Sequence, residues 1–380
     1  MTVALYIEPL DTLFFRDSRP FTAGEDTFAE STLPSPLTMY GAIGSYYLDS
    51  HNHSLDDFMK GSVTTKLGSY SRDIKGGVFT IKGPFLCFDR KPYFPAPANL
   101  WVYGDGKSPL ILKPYKDIRG RRSDLGELHP VVFDWDGEIE PCKGFITISD
   151  MQTYLSGGKK SWRLNSRAES DFFLKEGKVG HQINAPSRTV KEGMLYSVRH
   201  LRFRDTAQEQ LRYKKASLLV VIDSVETVDF TEKIYCIGGE RRGVVFAPVE
   251  NSSKLVPEDP NVLNKICESK RFFIYLASPA IFKGGWRPAW ISSDFVGAEM
   301  VSAAVNKPQY ISGWVRSGKG AEGQPRPIKR LTPAGSIYFF KADGWDDKKF
   351  YSHYKKYHFG ESLSDEYPDA GFGVPLIGVW

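Results

Sequence analysis

Residues 13–42 read LFFRDSRPFTAGEDTFAESTLPSPLTMYGA and hold the residue types best suited to gripping an anion. Arg16 and Arg19 supply two guanidinium groups, and Ser35-Pro36 marks a helix start. Serine is a good N-cap acceptor, and proline in the next position has no amide to leave unpaired. Free helix amides and guanidinium groups within one short connection suit a phosphate. The plainer alternative is an Arg16–Asp17 pair that only braces the loop.

Positive charge is concentrated elsewhere too. Residues 156–215 carry fourteen Lys/Arg against six Asp/Glu, so the rest of this chain of net charge +5 is slightly acidic. Within that span GHQINAPSRTVKEGMLYSVRHLRFR ends on an alternating pattern. As a strand, it sets Arg199 with Leu201 and Phe203 on one face, and His200, Arg202 and Arg204 on the other. Three arginines in such a run are expected to track phosphates, with Arg188 and Lys191 upstream. A solvated basic edge is the competing reading. A second island, residues 307–330, holds six basic residues against Glu322. Its stretch RSGKGAEGQPRPIKR, ending in Lys329 and Arg330, is long and cationic enough to wrap a nucleic-acid backbone. Another basic pair, Arg241-Arg242, closes the turn GGERR.

Several chemistries are excluded by spacing. Gly313 to Gly320 nearly matches a phosphate-binding P-loop but has glycine where Ser or Thr must hold magnesium. Gly371-Phe-Gly373 lacks the third glycine of a dinucleotide fingerprint. Four scattered cysteines (Cys87, Cys142, Cys236, Cys267) form no C-x-x-C pair, and His353 and His358 are badly spaced for one metal. Neither a metal nor a cofactor is expected. His51 and His53 could act as a base on a ribose 2′-OH, but two exposed turn histidines are the better reading.

These residues need a scaffold, and 380 residues suggest two domains. Frequent glycine (35) and proline (24) with 14% aromatics favour many short strands joined by turns. The pattern places helices near residues 35–49, 149–155, 260–269 and 346–359. Strong strands fall near 79–88, 217–225, 271–282 and 336–342. An α+β fold follows, divided into residues 1–215 and 216–380, with residues 113–144 as a long loop or insertion. No apolar run spans a membrane, and no basic region followed by an apolar core opens the sequence, so a cytoplasmic protein is expected.

In order along the chain, LFFRDSRPF, LPSPLTMYGAIG, GHQIN…EGMLYSVRHLRFR, IGGERRGVVF, ASPAIFKGGWRP, YISGWV, LTPAGSIYFFKA and GFGVPLIGVW resemble the third subunit of the type III-B CRISPR effector, the Cmr complex. That family belongs to the repeat-associated RAMP proteins. The resemblance covers residues 9–380. It implies two ferredoxin-like (RRM-like) domains with loop insertions and a glycine-rich C-terminal segment. It also implies a subunit without catalysis that caps the 5′ tag of the crRNA. The implied partners are the large polymerase-like subunit, the backbone RAMP subunit and, through the guide duplex, the target RNA. Such subunits extend a loop or hairpin toward that duplex, here from residues 157–197 or 317–330. The motif positions are Arg16, Arg19, Ser35, Thr38, Arg241 and Arg242, to which we assign RNA contacts. Arg188, Lys191, Arg199, Arg202, Arg204, Lys329 and Arg330 join them as backbone contacts, and Tyr196, Phe203 or Tyr213 could stack bases. The runner-up is a metal-independent RAMP endoribonuclease, and a third reading is a protein-only adaptor.

Overall fold

The structure, a computed structural model, describes residues 2–16, 28–63, 79–116, 126–133, 135–207, 213–224, 231–249, 255–315 and 324–380. It is a mixed α+β protein in which strands far outnumber helices. Two compact units form, each from three separate segments. Unit one combines Met1–Arg90, Ser170–Glu250 and Tyr310–Lys329; unit two combines Lys91–Glu169, Asn251–Gln309 and Arg330–Trp380. The expected boundary at 215/216 falls inside the strand Tyr213–Ser224. The reason is pairing: this apolar strand joins both the N-terminal strand Thr2–Pro9 and the strand Phe79–Phe88, so it belongs to the middle of unit one.

In unit one five strands run in the order Phe79–Phe88, Tyr213–Ser224, Thr2–Pro9, Arg242–Val249, Lys233–Ile237, each antiparallel to its neighbours. Leu218 to Ile222 are all buried, which is why SLLVVI reads as an unbroken apolar run. The helix Pro36–Ser50 begins as the sequence demands. The Ser35 hydroxyl accepts from the Thr38 amide at 3.2 Å, and Pro36 takes the first turn. The helix packs on the sheet through Tyr46, whose ring lies 6.1 Å from Phe246 and 6.0 Å from Tyr235. A long hairpin, Phe173–Ile183 with Val190–Phe203, extends from the same unit and takes Phe28–Glu30 as a parallel third strand.

Unit two holds a four-stranded antiparallel sheet in the order Glu299–Ala304, Ile337–Lys341, Arg271–Leu276, Pro375–Gly378. The helices Asn261–Ser269 and Asp347–Tyr357 fall where the sequence places them. Its core is aromatic: Phe272 stacks on Phe340 at 5.0 Å, with Phe295 and Trp345 beside them. The glycine-rich C-terminus is a packing feature. A Cβ on Gly378 would come within 2.9 Å of the Leu155 carbonyl and closer still to the Phe273 ring. Among the described residues of the 113–144 stretch, Lys113–Pro114 pairs with Val131–Val132, and Ile139–Pro141 joins Leu100–Tyr103 and Ser108–Ile111 in a small sheet.

Candidate nucleic-acid interface

The short run Leu13–Phe14–Phe15–Arg16 is held from three sides in unit one. Leu13 and Leu201 exchange two backbone hydrogen bonds at 2.8 Å, tying the run to the hairpin strand Val190–Phe203. The Gly239 amide donates to the Phe14 carbonyl at 2.8 Å, tying it to the GGERR turn. The Phe15 amide donates to the Ser31 hydroxyl at 3.1 Å, and the Thr32 amide donates to the Phe15 carbonyl at 3.0 Å. These bonds fix the backbone from Leu13 to Phe15, and the exposed Arg16 side chain emerges from that anchor. Arg19 lies outside the described residues.

The GGERR turn is bent to fit this anchor. Gly238 has φ 68 and ψ −164, a conformation open almost only to glycine. A Cβ there would sit 2.7 Å from the Phe14 carbonyl oxygen and 2.7 Å from the Phe15 ring. Glu240 and Arg241 follow with φ 59 and 49, left-handed backbone that side chains rarely adopt. The two arginines then separate in role. Arg242 binds both the Glu240 carboxylate and Asp11, the latter at 3.1 Å, and so braces the turn. Arg241 is exposed and makes no ion pair among the described residues.

Behind the run lies His200, fully buried and stacked on Phe14 at 5.0 Å. Its Nδ1 is 3.1 Å from the Thr12 hydroxyl, which also accepts from Lys178 at 2.8 Å. Nε2 lies 3.7 Å from Glu240 and has no hydrogen-bond partner. Burial, helped by the cations Lys178 and Arg242, lowers the His200 pKa despite Glu240, so the ring is neutral near pH 7. The face that carries His200, Arg202 and Arg204 is thus interrupted: His200 is buried in the protein, and Leu201 beside it is buried as well.

The remaining basic candidates differ in how far they are engaged. Arg202 hydrogen-bonds Glu176, and that bond is the main reason the Glu176 carboxyl lies below its ordinary pKa. Arg199 lies over the Phe28 ring at 5.1 Å and 3.8 Å from Glu30, which also binds Lys175 at 2.6 Å. Arg204 is exposed, with its backbone amide on the Phe172 carbonyl. Arg188, with φ 55, and Lys191 are exposed at the far end of the hairpin. At about 3.3 Å per residue the strand end beside them stands roughly 35 Å along the arm from the Leu13–Leu201 contact. Ser35 and Thr38 share a 3.0 Å hydroxyl contact at the helix start. Lys329 is half-buried and Arg330 exposed on the strand Lys329–Leu331. Of the proposed stacking rings, Phe203 packs against Phe173 at 5.7 Å, which leaves it a structural part. Tyr196 is half-buried, and the Tyr213 side chain lies outside the described residues.

The acidic partners Asp11, Glu30 and Glu176 were not singled out in the sequence. Only the alternation Lys175-Glu176-Gly-Lys178 hinted at one of them.

Three motifs far apart in the sequence therefore converge on Phe14. The model of one family, described as CRISPR-associated protein (Cas_Cmr3), matches residues 5–380. The chain belongs to that family. The family resemblance read from the ordered motifs holds over nearly the whole Cmr3-type chain. Chains in cryo-EM structures of the Type III-B Cmr-beta bound to cognate target RNA are similar at 17% identity, over 88% of this chain and 86% of theirs, with a TM-score of 0.49. The form bound also to AMPPnP gives 18% identity, the same coverage and a TM-score of 0.46. No curated protein sequence matches the chain. Among the described residues no helix is long and apolar enough to cross a membrane, and no group of His, Cys, Asp and Glu side chains could hold a metal ion.

Proposed function

We propose that this chain is the subunit of a type III-B Cmr effector that caps the repeat-derived 5′ tag of the crRNA. It would also join the large polymerase-like subunit to the backbone RAMP subunit. The observation that carries this reading is the convergence of the FFR run, the GGERR turn and the basic hairpin strand on Phe14. Arg16 and Arg241 leave that anchor exposed, and Arg204 adds a third exposed cation. A single-stranded tag needs such cations along its backbone. Arg199 and Arg202, each about half exposed, reach phosphates by exchanging carboxylate partners.

Both units also support the ferredoxin-like reading. In chain order, the four core strands of each unit lie second–third–first–fourth, all antiparallel. In unit one the strand Lys233–Ile237 lies in the connection where the second helix of that motif is expected. The long hairpin is the natural element to reach the guide–target duplex.

The chain is read as non-catalytic. His51 packs on Tyr47 at 4.2 Å, with Nδ1 2.8 Å from the Tyr47 carbonyl, which is a helix-end role.

The test is to isolate the tagged protein from its host and sequence the RNA bound to it. Small RNAs sharing one repeat-derived 5′ end support capping. Repeat-derived 3′ ends with freshly cut termini overturn it in favour of an endonuclease, and absence of RNA overturns it in favour of a protein-only adaptor.

A further inference from the structure

The insertion in unit two plays no part in the tag-binding reading, yet it carries an unusual surface. Residues 127–140 contain five carboxylates and no Lys or Arg, in a chain of net charge +5. The small sheet sets Tyr103 opposite Ile139 and Val102 opposite Glu140. At its end opens a cleft of about 520 Å³ whose walls include Tyr103, Trp135, Glu138 and Glu140. The Tyr103 and Trp135 rings lie 4.3 Å apart at 40°, and the indole is 41% exposed. Gly137 lets the indole lie where it does, because a Cβ there would sit 2.6 Å from its Nε1.

Charge decides what fits. Glu138 has no ion pair among the described residues, and Glu140 has only Lys143 at 3.9 Å. Carboxylates repel phosphate, so a nucleic-acid backbone is disfavoured here. An aromatic wall beside Glu138, unpaired among the described residues, and the weakly paired Glu140 matches a planar cation, which stacks on the indole and forks onto an acid.

We propose that this cleft receives an arginine side chain from a protein partner, giving the insertion a docking role separate from the RNA surface of unit one. The test uses the full chain labelled with 5-fluorotryptophan and read by fluorine NMR. The Trp135 resonance is the one lost in Trp135→Phe. The probe is a blocked pentapeptide of alternating glycine and arginine; a uridine hexanucleotide is the comparison. The arginine peptide is expected to shift the Trp135 resonance, leaving the other seven in place. The double variant Glu138→Gln/Glu140→Gln is expected to weaken that response about tenfold. Gly137→Ala, which displaces the indole without changing charge, is expected to weaken it as well. Unmoved tryptophan resonances elsewhere report that each variant is folded. No shift with the peptide overturns the proposal. An equal shift with the hexanucleotide that survives the Glu138/Glu140 change also overturns it, and makes the cleft a base-stacking site. Either result leaves the tag-capping reading untouched, since that rests on unit one.

Discussion

Replacing Arg199, Arg202 and Arg204 together by alanine tests whether the hairpin strand lies on RNA. On a single strand each phosphate contact contributes about 0.7 to the log–log salt slope, so three lost contacts flatten it by about 2. Over a rise from roughly 50 to 200 mM salt, the affinity gap between wild type and variant then narrows about 20-fold. The three positions are not equivalent. Arg204 has no ion pair among the described residues, so Arg204→Ala should show the largest single change in slope. Arg202→Ala also releases the Glu176 carboxylate, and Arg199→Ala loosens Glu30 from one of its cations. Removing those competitors instead, with Glu30→Gln and Glu176→Gln, should tighten binding. The assay is fluorescence anisotropy with a labelled RNA bearing the repeat-derived tag, repeated across the salt series. A triple variant with the wild-type slope would show that these arginines do not touch phosphate, whatever its affinity at one salt concentration.

Gly238→Ala forces a side chain into glycine-only backbone and onto the Phe14 carbonyl. A cost of about 2–4 kcal/mol follows from the strained conformation and the loss of the Gly239–Phe14 hydrogen bond. Urea unfolding measures it, and an unchanged midpoint would refute the close approach. His358 is held neutral, its Nε2 donating to the Pro257 carbonyl at 3.0 Å and its Nδ1 accepting from the Ile377 amide at 3.1 Å. Burial pushes its pKa down to about 4, so the unfolded chain binds the proton first as pH falls from 6.5. The neutral ring's contribution is complete above that pH, and about 3 kcal/mol of stability is lost by the time pH passes below 4. His358→Gln should flatten that dependence in unfolding experiments at pH 7 and 4.5, and identical pH profiles would count against it. His51→Ala/His53→Ala should leave RNA binding unchanged, with no cleavage of repeat RNA by either form on a denaturing gel; cleavage by wild type that the variant loses would restore the endonuclease.

Much was legible because its signals are local. Ser35-Pro36 starts a helix since both the cap and the missing amide act within one turn. LLVVI marks a buried strand, and eight ordered motifs carry the family, because neither depends on where the chain goes next. What tertiary structure alone decided lies between residues distant in sequence. Arg242 is a brace because Asp11, 231 positions away, reaches it. Glu30 is bound from 145 positions away by Lys175, beside Arg199. His200 turns inward because Phe14 and Thr12 cover it. No local pattern encodes such pairings, and they divide exposed arginines from engaged ones. The units escaped a linear reading for the same reason: the central strand Tyr213–Ser224 follows the segment Lys91–Glu169 that joins the other unit, while both of its partners precede that segment. The alternation in VRHLRFR therefore determined a strand, while its contacts determined which of its cations remain free.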